Sequence, residues 1–318
     1  MKSSMFVGVD VSKDWLDVAR CDDNKVCRIE YSGAALRQWL SSLPLGCHIG
    51  VESTGTLHRL LVRCALRAGH RVYVLNALDL SHYARSLGRR AKTDRLDAQL
   101  IARYLAKEQD QLHPYVEPTV QQAQLNELLS RRHKVVVAQG TLRQSFAGMS
   151  AQPRASRRVL RALDELIHEI DARIAELIAS DPLQQVTARQ LRTVVGFGPL
   201  LSATLTHELT RRAYRSADAF IAHTGYDPRP RDSGQKCGRR YLSKRGPAEL
   251  RRLLFTAAMS ASKTQLWKPF YQRHRERGLS TTQALVILAR KLARIAYSLV
   301  KHGTEFNPEL IKTACARP

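Results

Sequence analysis

The sequence predicts an α/β domain, then a long-helical middle, then a mostly helical C-terminal domain. Three observations carry this. Short apolar runs of strand character are confined to the first hundred or so of 318 residues. Residues 118–181 lack them and repeat apolar side chains every three or four positions. The remainder alternates amphipathic helices with one loop rich in glycine and arginine.

The run FVGVDVSKDWLDVARC, residues 6–21, reads as an opening β-hairpin, with Lys13 and Asp14 at the turn and Trp15, Leu16, Val18 and Ala19 on the returning strand. Asp10 sits inside the first strand, where an ionised carboxylate is costly unless something compensates it. Residues 25–30 read as a third strand, 34–43 as a helix stopped by Pro44, and 48–51 as a fourth strand running into Glu52. A helix over 56–68 is stopped by Gly69, and 71–75 is a fifth strand. A three-stranded meander followed by alternating helix and strand is the outline of an RNase H-like domain.

In that outline the first and fourth strands are neighbours, so Asp10 and Glu52 face each other near the strand ends. In KTDRLDAQLIARYL, Asp94 and Asp97 are three apart on a helix whose apolar stripe is Leu96, Leu100, Ile101 and Tyr104. Four carboxylates without histidine or cysteine suit Mg²⁺, with Mn²⁺ as a substitute. A solvated strand face and a salt-bridged helix surface are the bland alternatives. Ser53, Thr54, Gly55 and Thr56 form a small polar turn after Glu52, able to approach a phosphate. Arg85, Arg89, Arg90, Lys92 and Arg95 lie beside the later acids and would draw phosphates toward them, unless they are ordinary surface charge.

In the middle, Leu125, Leu128, Leu129, Val135 and Val136 suggest one helical arm and the run from Leu163 to Ile178 a second, with Pro153 between them. The expected product is an antiparallel coiled-coil hairpin used for oligomerisation or for spanning domains. Residues 191–209 flank Gly196, Phe197 and Gly198 with two short helices, a helix-hairpin-helix pattern whose backbone N–H groups can meet a phosphate. From Arg229 to Arg252 there are nine basic residues against Asp232 and Glu249. Candidate phosphate contacts there are Arg229, Arg231, Lys236, Arg239, Arg240, Lys244 and Arg245. Ser233 lies inside this loop, without a histidine near it in sequence to act as base, so the loop alone reads as phosphate grip. His207, His223 and His274 show no ligand spacing, and Trp267, Phe270 and Tyr271 read as core. A helix over 281–300 closes the domain with Arg290, Lys291 and Arg294 on its basic side, and the chain after Thr304 reads as loosely ordered.

The formal net charge of +23 exceeds what solubility requires and points to a polyanion. Residues 1–106 hold 16 Lys and Arg against 10 Asp and Glu, so most of the excess belongs to the later two thirds. Six cysteines form no CxxC pair and read mostly as small buried hydrophobes in a reducing compartment. With no signal peptide and no apolar run long enough to span a bilayer, a soluble cytoplasmic protein that does not engage membranes is expected.

Five ordered stretches resemble the DEDD transposases of insertion sequences, also described as RNA-guided bridge recombinases: GVDVSKDWLDVA, GVESTG, KTDRLDAQLIARYL, VVGFGPLLSATL and PRPRDSGQKCGRRYLSKRGPAELRRLLF. The resemblance covers roughly residues 6–306. It implies a RuvC-like metal-binding domain over 1–110, a helical hairpin over 111–185, a serine-containing transposase domain over 186–306 and a flexible tail over 307–318. It assigns Asp10, Glu52, Asp94 and Asp97 as metal-binding acids and Ser233 as the catalytic serine. Gln235 stands where many members have a second glycine, and Ser243 is the next candidate nucleophile. It further implies a serine–phosphodiester intermediate, a site shared between subunits, a tetramer built of dimers, donor and target DNA, and a structured noncoding guide RNA. The competing readings are a metal-dependent nuclease or Holliday junction resolvase using water, a site-specific DNA invertase, and a non-catalytic nucleic-acid-binding protein.

Overall fold

The computed structural model describes residues 5–311 apart from 24, 54, 89–93, 152, 230–237 and 239; the side chains of 94 and 95 also lie outside the description. The chain divides into two compact units, Met1–Glu117 and Pro118–Pro318.

In the first unit, β1 (Phe6–Val11), β2 (Trp15–Arg20), β3 (Val26–Glu30), β4 (His48–Glu52) and β5 (Arg71–Leu75) form one sheet in the order β3-β2-β1-β4-β5. The first three strands are an antiparallel meander, while β4 and β5 run parallel to β1. Side chains alternate across the sheet. Val7, Val9, Val11, Ile49 and Val51 meet Leu36 and Leu40 of α1 (Gly33–Ser41) and Leu61 and Val62 of α2 (His58–Arg67) on one face. Phe6, Tyr73 and Leu75 meet Leu80 of α3 (Ala77–Ser86) and Ile101 and Leu105 of α4 (Asp94–Glu108) on the other. This is the RNase H-like arrangement, a mixed sheet with helices on both faces. Sequence patterning does not reveal α3, because Leu80 is its one buried residue; the local signal is Asn76, whose side chain caps the helix by accepting from the Leu78 N–H.

Two glycines seat α4. Gly8 and Gly50 are register partners on β1 and β4. A Cβ on Gly8 would run into the backbone of Ala98 and Ala102, and one on Gly50 would lie 3.0 Å from Ile101 Cγ2. The helix therefore rests on bare strand backbone, with Ala98 and Ala102 completely buried. Phe6, at the start of β1, packs near Tyr104 and Leu105, so α4 runs antiparallel to β1 and its first turn lies toward the C-terminal ends of β1 and β4.

In the second unit, α5 (Val120–Ser145) and α6 (Arg154–Ala179) form an antiparallel hairpin. Leu125 packs with Ile174, Leu177 and Ile178 at its base. Further out, Arg132 Nη2 donates to Asp171 (2.8 Å) and Gln139 Nε2 donates to Asp164 (2.7 Å). Then follow α7 (Pro182–Arg192), α8 (Pro199–Arg211), α9 (Ala217–Thr224), the short strands β6 (Pro228–Arg229) and β7 (Tyr241–Leu242), α10 (Ala248–Ala261), α11 (Lys268–Glu276) and α12 (Thr281–His302). The core between α8, α10 and α12 includes Leu205, Leu254, Leu288 and Leu292. Trp267 is completely buried and its indole N–H donates to the Val195 carbonyl (3.1 Å), so the aromatic group is core.

Three expectations change. The chain after Thr304 is not loose as far as Ile311: the Phe306 N–H donates to Thr193 Oγ1 (2.9 Å), Phe306 stacks on Trp267, and Ile311 is buried. These two apolar side chains hold the segment to the core. Of the four described cysteines only Cys47 is buried; Cys27, on the edge strand β3, and Cys21, in the turn that follows β2, are exposed. The basic side of α12 is partly neutralised, since Arg294 pairs with Asp218. Among the described residues no helix is long and apolar enough to cross a membrane.

Candidate active site and nucleic-acid interface

Asp10 and Glu52 stand at the C-terminal ends of β1 and β4. Each lies two residues beyond its paired glycine, on the sheet face that α4 covers. Asp94 and Asp97 lie on the first turn of α4, the end directed to those same strand termini. Three elements thus bring Asp10, Glu52 and Asp97 to one end of one layer, together with the backbone position of Asp94. All are oxygen donors, the set a hard divalent cation takes. Among the described residues no three acids, histidines or cysteines stand close enough to hold an ion, and the Asp94 side chain is outside that set. The donor chemistry fits Mg²⁺; the described geometry does not by itself enclose one.

A residue that sequence reading missed joins this row. Asp17 of β2 is directly opposite Asp10, so both side chains lie on the α4 face. Asp17 is buried, and Arg28, its own partner on β3, binds it through two donors (3.1 and 2.7 Å). The Arg28–Asp17 pair therefore places a salt-bridged carboxylate beside Asp10. The signal was available: a turn centred on residues 13 and 14 pairs positions whose numbers sum to that of Asp10 with Asp17.

In the second unit, β6 and β7 pair Arg229 with Tyr241 and so join the two ends of the segment that contains Ser233. The base of this ribbon is tightly tied. The Ser243 hydroxyl donates to the Asp227 carboxylate, the Ser243 N–H donates to the Asp227 carbonyl (2.9 Å), and the Arg245 N–H donates to Ser243 Oγ (3.3 Å). Ser243 is thereby committed to holding the turn. Arg251 Nη1 donates to the carbonyls of Thr224 (3.2 Å) and Gly246 (3.0 Å). Gly225 and Gly246 both have positive φ, and a Cβ on either would strike the opposite turn's backbone. The Tyr226 hydroxyl, pushed up to about 12 by burial, donates to the Arg251 carbonyl (2.8 Å).

Ser233, Arg231, Lys236 and Arg239 lie outside the described residues, as do Arg89, Arg90, Lys92 and the side chain of Arg95. Arg229, Arg240 and Lys244 are exposed around the ribbon, and Arg245 is half-buried. The two glycines of the helix-hairpin-helix part company. Gly196 (φ 105) is required by packing, because a Cβ would sit 2.8 Å from Ala261 Cβ; Gly198 is the N-cap of α8, with open space around it and no capping side chain. Gly198 thus begins a helix whose first N–H groups have no side-chain cap.

Two family models match this chain. One, a DEDD transposase model of the IS110 type described as "Transposase", covers residues 7–148. The other, described as "Transposase IS116/IS110/IS902 family", covers 188–272. Among curated relatives, the "Pilin gene-inverting protein" of Moraxella bovis is 27% identical over 97% of this chain and 99% of its own length. The "Transposase for insertion sequence element IS1328" of Yersinia enterocolitica is 26% identical over 96% and 100% of the two chains. A "Probable family 20 transposase" of Pseudomonas aeruginosa is 25% identical over 95% and 98%.

Proposed function

Because the chain belongs to the IS110 family of DEDD transposases, enzymes that act on DNA, we propose that it cuts and rejoins donor and target DNA through a covalent link to Ser233, assisted by Mg²⁺ held by Asp10, Glu52, Asp94 and Asp97. The observation that carries this is the placement of acids at the ends of β1 and β4 under the first turn of α4, a layer set by the Gly8–Gly50 contact. A bound divalent ion supplies electrophilic polarisation of the phosphate and charge relief for the departing oxygen.

The chain's own residues then have distinct tasks. The Ser233 oxygen gives up its proton and bonds to phosphorus, one P–O bond of the DNA breaks, and the released strand takes a proton as a hydroxyl. The reverse attack, by a hydroxyl of a partner strand, restores the serine. Energy is conserved in the phosphodiester, so no nucleotide cofactor is consumed. Arg229, Arg240, Lys244 and Arg245 hold phosphates around the ribbon, with Arg231, Lys236 and Arg239 supplying the remainder. Arg89, Arg90, Lys92 and Arg95 do the same beside the acids, and the Gly198 helix start offers neutral donors. Selection of both DNAs is assigned to a structured guide RNA, and each site is assigned the acids of one subunit and Ser233 of another, within a tetramer built of dimers. Inversion and transposition share this chemistry; the near full-length similarity to pilin gene-inverting proteins supports inversion as a second outcome.

Ser233→Ala is expected to abolish the protein–DNA adduct trapped by denaturation while nucleic-acid binding stays within about twofold of the parent. An adduct of undiminished yield would remove Ser233 from the mechanism. Strand cleavage without any adduct in the parent protein would assign the attack to water instead.

A further inference from the structure

The far end of the α5–α6 hairpin carries charge that neither the fold nor the proposed chemistry uses. Between Glu127 and Asp164 the sequence contains no acid, yet it holds eight Lys and Arg. Arg154, Arg157, Arg158 and Arg161 lie on the opening turns of α6, all exposed, and no ion pair joins any of them to a described residue. They line an open groove of about 970 Å³ with Arg143 of α5. Asp164 closes the inner end of that groove and is already engaged by Arg143 (2.9 Å) and Gln139 (2.7 Å).

The placement opposes helix electrostatics. A helix start favours acids and a helix end favours bases. In α6 the order is reversed, with the arginines first and Asp164, Glu165, Glu169, Asp171 and Glu176 after them. The cap is Pro153, with no side-chain hydrogen bond, and no acid lies in the first turn. Such an arrangement lowers helix stability and is relieved by an external anion. Its occupant is not a second copy of the same tip, which would bring ten arginines together in a twofold-symmetric contact. Beside the groove, Leu142, Phe146, Val159 and Leu160 form an apolar shelf on which a sugar or base can rest.

We propose that this tip is a separate grip for the sugar–phosphate backbone of a nucleic-acid duplex, distinct from the Ser233 ribbon and the acid cluster. Its occupant rests on the reading of the chain as a DNA-acting enzyme; its location does not depend on Ser233. DNA and structured RNA share the phosphate chemistry that the arginines recognise.

The test uses the full chain with Arg154, Arg157, Arg158 and Arg161 all changed to Gln, and a second version in which all four become Lys. Each is titrated against labelled duplex DNA and duplex RNA of one arbitrary sequence over a range of KCl concentrations. The Gln form is expected to lose roughly tenfold or more in affinity for at least one duplex, and its slope of log K against log salt should flatten by about 2 to 4. The Lys form should bind like the parent. The melting temperature of the Gln form should be unchanged or higher, because cations leave the start of α6, so lost binding cannot be ascribed to lost fold. Whichever duplex loses affinity is identified as the occupant. Affinity and slope unchanged for both duplexes overturn the proposal. So does four-arginine-dependent binding to phosphatidylserine vesicles with both duplex affinities intact. If the parent forms no Ser233 adduct but the Gln form still loses duplex binding, the strand-exchange reading fails and the grip stands.

Discussion

Asp17 shows how a single buried acid is tolerated in the middle of a sheet. Its carboxylate lies in the sheet directly across from Asp10 and accepts two hydrogen bonds from Arg28 while staying buried. Arg28→Met is expected to destabilise the first unit by about 2 kcal/mol, the cost of leaving a buried acceptor and charge unanswered; the half-exposed Arg28 side chain keeps the figure at the low end. Urea unfolding of the parent and the variant checks it. On the proposed mechanism, the same change should reduce metal-dependent cleavage more than it reduces DNA binding, because it strips the Asp17 carboxylate beside Asp10 of its Arg28 partner. Asp10 and Glu52 were legible in the sequence because a charge inside an apolar strand is conspicuous. Asp17, inside the equally apolar run WLDVAR, was missed because its place opposite Asp10 has to be counted from the hairpin turn rather than read from periodicity.

Among the elements, α8 is buried from Leu201 to His207 and meets α9 through polar side chains. His223 Nε2 lies 2.9 Å from Glu208 Oε2. Burial lowers the His207 imidazole below its ordinary value of 6.5; Glu208 pulls it back up, while Arg211 and Arg212 push it further down. The unfolded chain therefore binds a proton at this site that the folded chain refuses. Stability is complete above pH 6.5 and declines as pH falls below it. The melting temperature of the parent should drop between pH 7 and pH 5, and His207→Leu should flatten that dependence. His48, also lowered by burial, adds to the slope from the first unit. Burial works against ionisation of Glu208, but the His223 hydrogen bond and neighbouring cations outweigh it, leaving its value below 4.5 and adding a further loss in acid. The helices and strands were legible where a clear stripe existed, as in α6 and α12. The seat of α4 was not, because its contacts are alanines and glycines, residues that carry almost no hydropathy signal.

At the scale of the whole molecule, the neighbouring of the first and fourth strands and the excess positive charge followed from pattern and composition. The bringing together of acids from β1, β4 and α4 followed only from the topology, since 42 positions separate Asp10 from Glu52 and as many again lie between Glu52 and Asp94. The Ser233 loop offered composition but no periodicity; what the fold adds is the clasp of β6 and β7, fastened by Asp227, Ser243 and Arg251, that brings its two ends side by side. The tip arginines were overlooked because a run of basic residues on a helix is ordinary. Their reversal against the helix polarity is not.

Gly8 finally constrains how this chain can be repaired. An added methyl there meets the main chain of Ala98 and Ala102, and main chain is common to all twenty amino acids. Trimming a neighbouring residue thus creates no room. A selection for suppressors of Gly8→Ala should return glycine at position 8, and a second-site rescue at 98 or 102 would show that the helix can slide.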